Sequence, residues 1–253
     1  MYDATDDGML AVRLIVGPTG VGKSAAASAI ARRTHAPVVI ADRIQCFTDL
    51  ATTSARAGAD EPGVHRAWLG DRIVSDGDYP AAEAAEALVL TVQRMAAPGW
   101  PVVIEGGSIS LLAHFADHHL PRLPWRVTVT TLTRPAPDRY LTALTVRAHS
   151  MLRPTPPNTG LLDELAALWR EPAQRWFTAS VNGLEAALEW CAKYGLDPAD
   201  PGTAQVADLP PRLVDELAQL IAERHAEHGA DQERAFAELF APPAVNAITP
   251  SAG

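Results

Sequence analysis

Cysteine is scarce: Cys46 and Cys191 are the only two in 253 residues, and they form no CxxC pair. A disulfide framework and a thiolate metal site are therefore excluded, and two reduced thiols of a cytosolic protein are the natural reading. Positive charge is short too, with 21 Lys and Arg against 30 Asp and Glu for a net charge of −9. Such a chain has no global field for a nucleic-acid polymer or an anionic membrane, so an anionic substrate has to be captured locally. No apolar run approaches the ~18 residues of a membrane span. The amino terminus, MYDATDDGML, lacks the basic-then-apolar order of a signal peptide. Repeats and low-complexity stretches are missing as well. These absences predict a soluble cytoplasmic protein, monomer or homodimer, whose partners are small molecules and neither nucleic acid nor membrane. Its 47% hydrophobic content is enough for a sizeable core.

The stretch Leu14-Ile-Val-Gly-Pro-Thr-Gly-Val-Gly-Lys-Ser24 is the strongest signal. An apolar strand ends in glycines, and a helix of small residues follows. Gly17-x-x-x-x-Gly22-Lys23-Ser24 has the Walker A spacing, in which backbone N–H groups converge on phosphate oxygens, Lys23 adds charge and the Ser24 hydroxyl can reach Mg²⁺. The bland alternative is a glycine-rich turn without ligand.

Ala36–Asp42 reads as a second buried strand ending in a carboxylate. Strand, helix, strand implies a right-handed parallel crossover, with ligands at the carboxyl ends of the strands, so Asp42 should face the phosphate site. Residues 43–79 look like a loop-rich substrate wall, with Ser54 and Arg56 as candidates against the ordinary view that they are merely solvated. A sheet-covering helix spans 80–95. Pro101–Glu105 is a third strand running into Gly106-Gly107-Ser108 and another helix, and Glu105 stands where nucleotide hydrolases often carry a metal-binding carboxylate. Residues 126–133 form the fourth strand. Helices then follow at 138–151, 161–169, 182–193 and 211–239, with turns at 154–160 and 197–202. The stripes Leu161, Leu165, Leu168, Trp169 and Leu213, Leu217, Leu220, Ile221 read as packing surface. The expectation is an α/β fold, a P-loop parallel sheet flanked by helices (1–135) with a helical region closing over the site (136–253), together one continuous unit.

Four stretches, GPTGVGKS at 17–24, ADRIQ at 41–45, EGGSISLL at 105–112 and HGADQER at 228–234, together resemble the isopentenyltransferase family. The likeness is greatest to its adenylate dimethylallyltransferase branch, the enzymes that begin cytokinin synthesis, and it runs from about Leu14 to Phe236. The tRNA-modifying branch usually carries a longer chain with an inserted helical region, and this sequence has neither that length nor its basic character.

The resemblance implies transfer of a prenyl group from an allylic diphosphate, dimethylallyl or its hydroxylated analogue, to the exocyclic amine of AMP, ADP or ATP. It implies Asp42 as base, Thr19 touching the diphosphate or positioning Asp42, and Arg147 as a diphosphate clamp beside Gly17, Gly20, Gly22, Lys23 and Ser24, with Mg²⁺ at Ser24. Ser54, Arg56, Ser108 and Ser180 fall on the acceptor side, and Asn182 and His228 by the prenyl tail. Against these stand plain alternatives: Asp42 as a helix cap and His228 as a surface histidine. Two departures are visible: Ser180-Val181-Asn182 stands where relatives carry acidic residues, and Ala143 where they often carry a basic one. A small-molecule kinase using Asp42 and Arg147, and a non-enzymatic nucleotide switch, are the competing readings of the loop.

Overall fold

The computed structural model describes residues 9–56, 61–200 and 209–241. The chain runs β1 (Leu10–Val16), α1 (Lys23–Thr34), β2 (Val38–Ala41), β3 (Arg66–Trp68), α2 (Ala81–Met95), β4 (Val102–Gly106), α3 (Ile109–His114), β5 (Trp125–Thr131), α4 (Pro137–Leu152), α5 (Leu161–Trp169), α6 (Arg175–Thr178), α7 (Leu184–Tyr194) and α8 (Pro211–Leu239). All five strands are parallel, in the order β3-β2-β4-β1-β5. Strand β2 and the Val102–Ile104 part of β4 are apolar throughout because both their faces are covered. Alternate residues supply the two faces: Ile15, Val38, Ile40 and Val103 pack on Ala27 and Ala31 of α1. Leu14, Val16, Val39, Val102 and Ile104 enter a larger cluster on the other side. That cluster continues through Leu112, Phe115, Leu161, Leu184, Leu217 and Phe236, so the later helices share one core with the sheet.

Register places the chemistry. Val16 pairs with Gly106 and Thr131, and Ala41 with Gly106. The residues that follow, Gly17, Asp42 and Gly107, therefore emerge side by side at the carboxyl edge. Gly17 could be no other residue: at φ 152° a Cβ would sit 2.6 Å from the Leu132 carbonyl oxygen.

Three expectations change. Residues 43–79 are not all loop: β3 adds an edge strand pairing Val38–Ile40 with Arg66–Trp68, too short to show a periodic signal. The helix expected at 182–193 starts at Leu184, because Gly183 turns the chain at φ 96°. Short α6 escaped notice among the polar residues around it. The turn expected at 197–202 lies outside the described residues from 201 on. Among the described residues no helix is long and apolar enough to cross a membrane.

One buried carboxylate ties the helical half to the loop carrying Ser54. Glu164 of α5, 5% exposed, accepts from Thr52 N–H (2.7 Å), Thr53 N–H (2.9 Å) and the Thr53 hydroxyl (2.7 Å). Glu164→Leu leaves two buried amides unpaired and should cost about 3 kcal/mol in urea unfolding. A loss below about 1 kcal/mol would show that water replaces the carboxylate.

Candidate active site

Above the carboxyl edge lies a cavity of about 1260 Å³, walled by the P-loop, the turns after β2 and β4, and α4, α6 and α8. Its phosphate end is the start of α1, where Gly22 at φ 92° provides no side-chain cap, leaving the first helical N–H groups for an anion. Lys23 Nζ donates to the carbonyls of Gly17 (2.8 Å) and Pro18 (2.7 Å). Burial pushes its pKa down to about 8, against the pull of Asp42 and Glu105. Arg147 reaches the same space from α4; burial lowers its pKa too, Asp42 opposes, and its Nε is buried without a partner.

Asp42 caps a short turn with one oxygen and turns the other toward the cavity. Its Oδ1 accepts from Ile44 N–H at 3.0 Å, capping the turn 44–46, while Oδ2 points to Gly107, where a Cβ would stand 2.8 Å away. Gly107 thus lets the carboxylate stand at the cavity floor. Ser24 donates to Glu105 Oε1 at 2.5 Å, and the other Glu105 oxygen pairs with Arg66 at 3.1 Å. Arg66 also donates to Ser28 at 2.7 Å. A hydroxyl and a carboxylate side by side at the P-loop are the hard oxygen donors that suit Mg²⁺, which typically takes one or two carboxylates and completes its shell from phosphate and water. Among the described residues no group of three or more His, Cys, Asp or Glu could hold a metal unaided.

Thr19, Gly20, Gly22, Ser54, Ser108, Ser180, Asn182 and His228 all line this cavity with Lys23, Ser24, Asp42 and Arg147. Gly17 lies behind it, contributing only the carbonyl that receives Lys23. Arg56 is a correction: it does not line the cavity but pairs with Asp71, donates to the carbonyls of Gln45 and Cys46 and stacks on Trp68 at 4.6 Å. Its charge is spent on holding the loop, while Ser54 keeps its place in the wall.

Both residues expected beside the prenyl tail line the cavity. His225, not His228, sits against the Asn182–Gly183 turn, with its Nε2 3.5 Å from a Cβ on Gly183, and Asn182 donates to the neighbouring Arg224 carbonyl at 3.4 Å. Asn182 Oδ1 and His225 Nδ1 are both buried without partners. Burial drives the His225 pKa down to about 3, so the ring is neutral at ordinary pH. His228 lies nearer Asp42: burial lowers its pKa, and Asp42 and Asp231 oppose. His225, His228 and Gln232 recur on one face of α8 among polar residues, a spacing that could have revealed the missed histidine and the amide. Arg66 carried no such signal, since its partners come from distant segments.

Comparison with known proteins follows this geometry. A family model described as isopentenyl transferase matches residues 10–244. Adenylate dimethylallyltransferase of Rhodococcoides fascians is 40% identical over 237 residues, covering 93% of this chain and 91% of that protein. The protein of the same name from Ralstonia solanacearum is 34% identical, covering 88% and 92%. Among solved structures, the tRNA isopentenylpyrophosphate transferase of Bacillus halodurans superposes with a TM-score of 0.61 at 14% identity, covering 90% of this chain and 86% of that one. The Staphylococcus epidermidis counterpart gives 0.58 at 14% identity and 90% coverage of each. At that identity the structures speak for the fold.

The depressed pKa of Lys23 has a measurable sign. Below about 8 the amine is charged and attracts an anion; above it the charge is lost, and binding then requires proton uptake. Affinity for inorganic diphosphate should fall as pH rises past about 8. In Lys23→Arg, whose charge persists, that decline should move to higher pH. Identical declines in both proteins by calorimetry would remove Lys23 as the titrating group.

Proposed function

This chain belongs to the isopentenyl transferase family, and on that footing we propose that it transfers a prenyl group from an allylic diphosphate to the exocyclic N6 amine of an adenine nucleotide. The observation that carries the reading is Asp42 in one cavity with two desolvated cations, Lys23 and Arg147, at the mouth of a phosphate-binding helix. The amine lone pair attacks C1 of the donor, the C1–O bond to diphosphate breaks, and Asp42 takes the amine proton. Charge grows on the diphosphate oxygens as that bond breaks, and the P-loop N–H groups, Lys23 and Arg147 would stabilise it there. Mg²⁺, held by Ser24 and Glu105 with the diphosphate, would supply further charge neutralisation there.

Ser54, Ser108 and Ser180 stand on the acceptor side, where AMP, ADP or ATP would lie. The unpartnered Asn182 Oδ1 and His225 Nδ1 favour a donor tail with a terminal hydroxyl, since each unmet buried polar atom costs about 1–3 kcal/mol against plain methyl groups. The kinase and nucleotide-switch readings of the loop are not favoured, because the relatives named adenylate dimethylallyltransferase match nearly the whole chain.

Asp42→Asn retains the Oδ1 cap and removes the base. Diphosphate release that depends on both AMP and the allylic donor should slow by roughly 10²–10⁴, with affinity for inorganic diphosphate undiminished. Turnover within a few fold of the parent would take Asp42 out of that role.

A further inference from the structure

One buried amide spans the two halves of the chemistry. Gln232, on the inner face of α8 and 2% exposed, accepts from Thr19 N–H through Oε1 at 2.7 Å and donates from Nε2 to the Gly107 carbonyl at 2.7 Å. Thr19 belongs to the loop at the end of β1, and Gly107 to the turn against which Asp42 Oδ2 rests. Thr19 has a second tie: Tyr140 of α4 donates its hydroxyl to the Thr19 carbonyl at 2.7 Å. Burial raises the Tyr140 pKa to about 12, so the phenol remains a donor. Gly229 makes room for it, because a Cβ there would collide with the phenolic oxygen.

An apolar side chain would fill the Gln232 position without the cost of burying an amide, so its two bonds need a reason. An amide both accepts and donates there at every pH, whereas an ionised carboxylate would face the Gly107 carbonyl as a second acceptor and a thioether offers no donor. We propose that Gln232 is a positioning residue that fixes the separation between the loop holding the leaving diphosphate and the turn holding Asp42 at the acceptor amine. The inference rests on the prenyl-transfer reading above. Its force comes from geometry: reacting groups displaced by about 1 Å can lose about 100-fold in rate. With Thr19 and Gly107 on the same amide, loop and base move together.

The test compares the full-length parent with Gln232→Met, which matches the length without the hydrogen bonds, and Gln232→Glu, which keeps the shape. Diphosphate-binding stoichiometry by calorimetry counts intact sites. Per intact site, Gln232→Met should lose on the order of 30-fold in kcat and about fivefold in diphosphate affinity, while KM for the nucleotide stays within about threefold. Gln232→Glu should resemble it at neutral pH. As pH falls, the protonated carboxyl regains an O–H donor for Gly107, so its kcat relative to the parent at the same pH should rise. Lys23, Asp42, Tyr140, His228 and Asp231, the ionisable groups around the position, are present in both proteins and enter both sides of that ratio. A brace with no part in positioning would leave the ratio flat. A flat ratio, or a Gln232→Met kcat per site within about twofold of the parent, overturns the proposal. If Gln232→Met does not fold, the Gln232→Glu ratio decides alone. A parent that turns over no nucleotide would instead sink prenyl transfer; the clip would then stand or fall on the loss of diphosphate affinity.

Discussion

Two buried cations, Lys23 and Arg147, share one carboxylate, Asp42, at the centre of the cavity. That imbalance is what the rest of the structure serves. The neighbouring Glu105 corrects it only in part: it opposes the lowering of the Lys23 pKa while sharing its oxygens with Arg66 and the Ser24 hydroxyl. The chain as a whole carries a net charge of −9, so an anion has to be captured by local charge of this kind. Burial lowers the pKa of both cations, the cost of holding charge out of water; a diphosphate would offset it.

The sheet register and the late helices exist, chemically, to hold that arrangement. Parallel strands ending level bring the glycine-rich loop after β1, Asp42 and the Gly106-Gly107 turn to one edge from three separate stretches of chain. Helices α4 and α8 then supply Arg147, Tyr140, His228 and Gln232 from above. Glu164 does the same for the wall carrying Ser54.

Much of this was legible in the sequence. The P-loop, the buried strands and the long last helix are local patterns, and α5 and α8 begin and end where periodicity and turn residues place them. Asp42 followed from topology alone, one step past a strand that had to lie beside the loop. What escaped was set by tertiary contact. Three residues of β3 have no period to read, and Arg66 within it finds Glu105 only once the sheet is assembled. Arg56 looked like a substrate ligand because nothing in a loop sequence announces Asp71 and Trp68 as its partners. His228 drew attention through its resemblance, while His225, one turn earlier on the same face, turned out to be the ring at the Asn182 turn. Glu164 and Gln232 read as ordinary polar helix residues, and only their burial shows what they hold.

The central claim is that a loop resembling those of nucleotide hydrolases here grips a leaving group. It is tested most directly by the mass of the product formed when the purified protein meets AMP, dimethylallyl diphosphate and Mg²⁺. The account predicts AMP heavier by one prenyl unit, with the gain on the adenine, and one diphosphate released for each product. Unchanged AMP, or a phosphorylated product formed at the expense of ATP with no allylic diphosphate present, would contradict it.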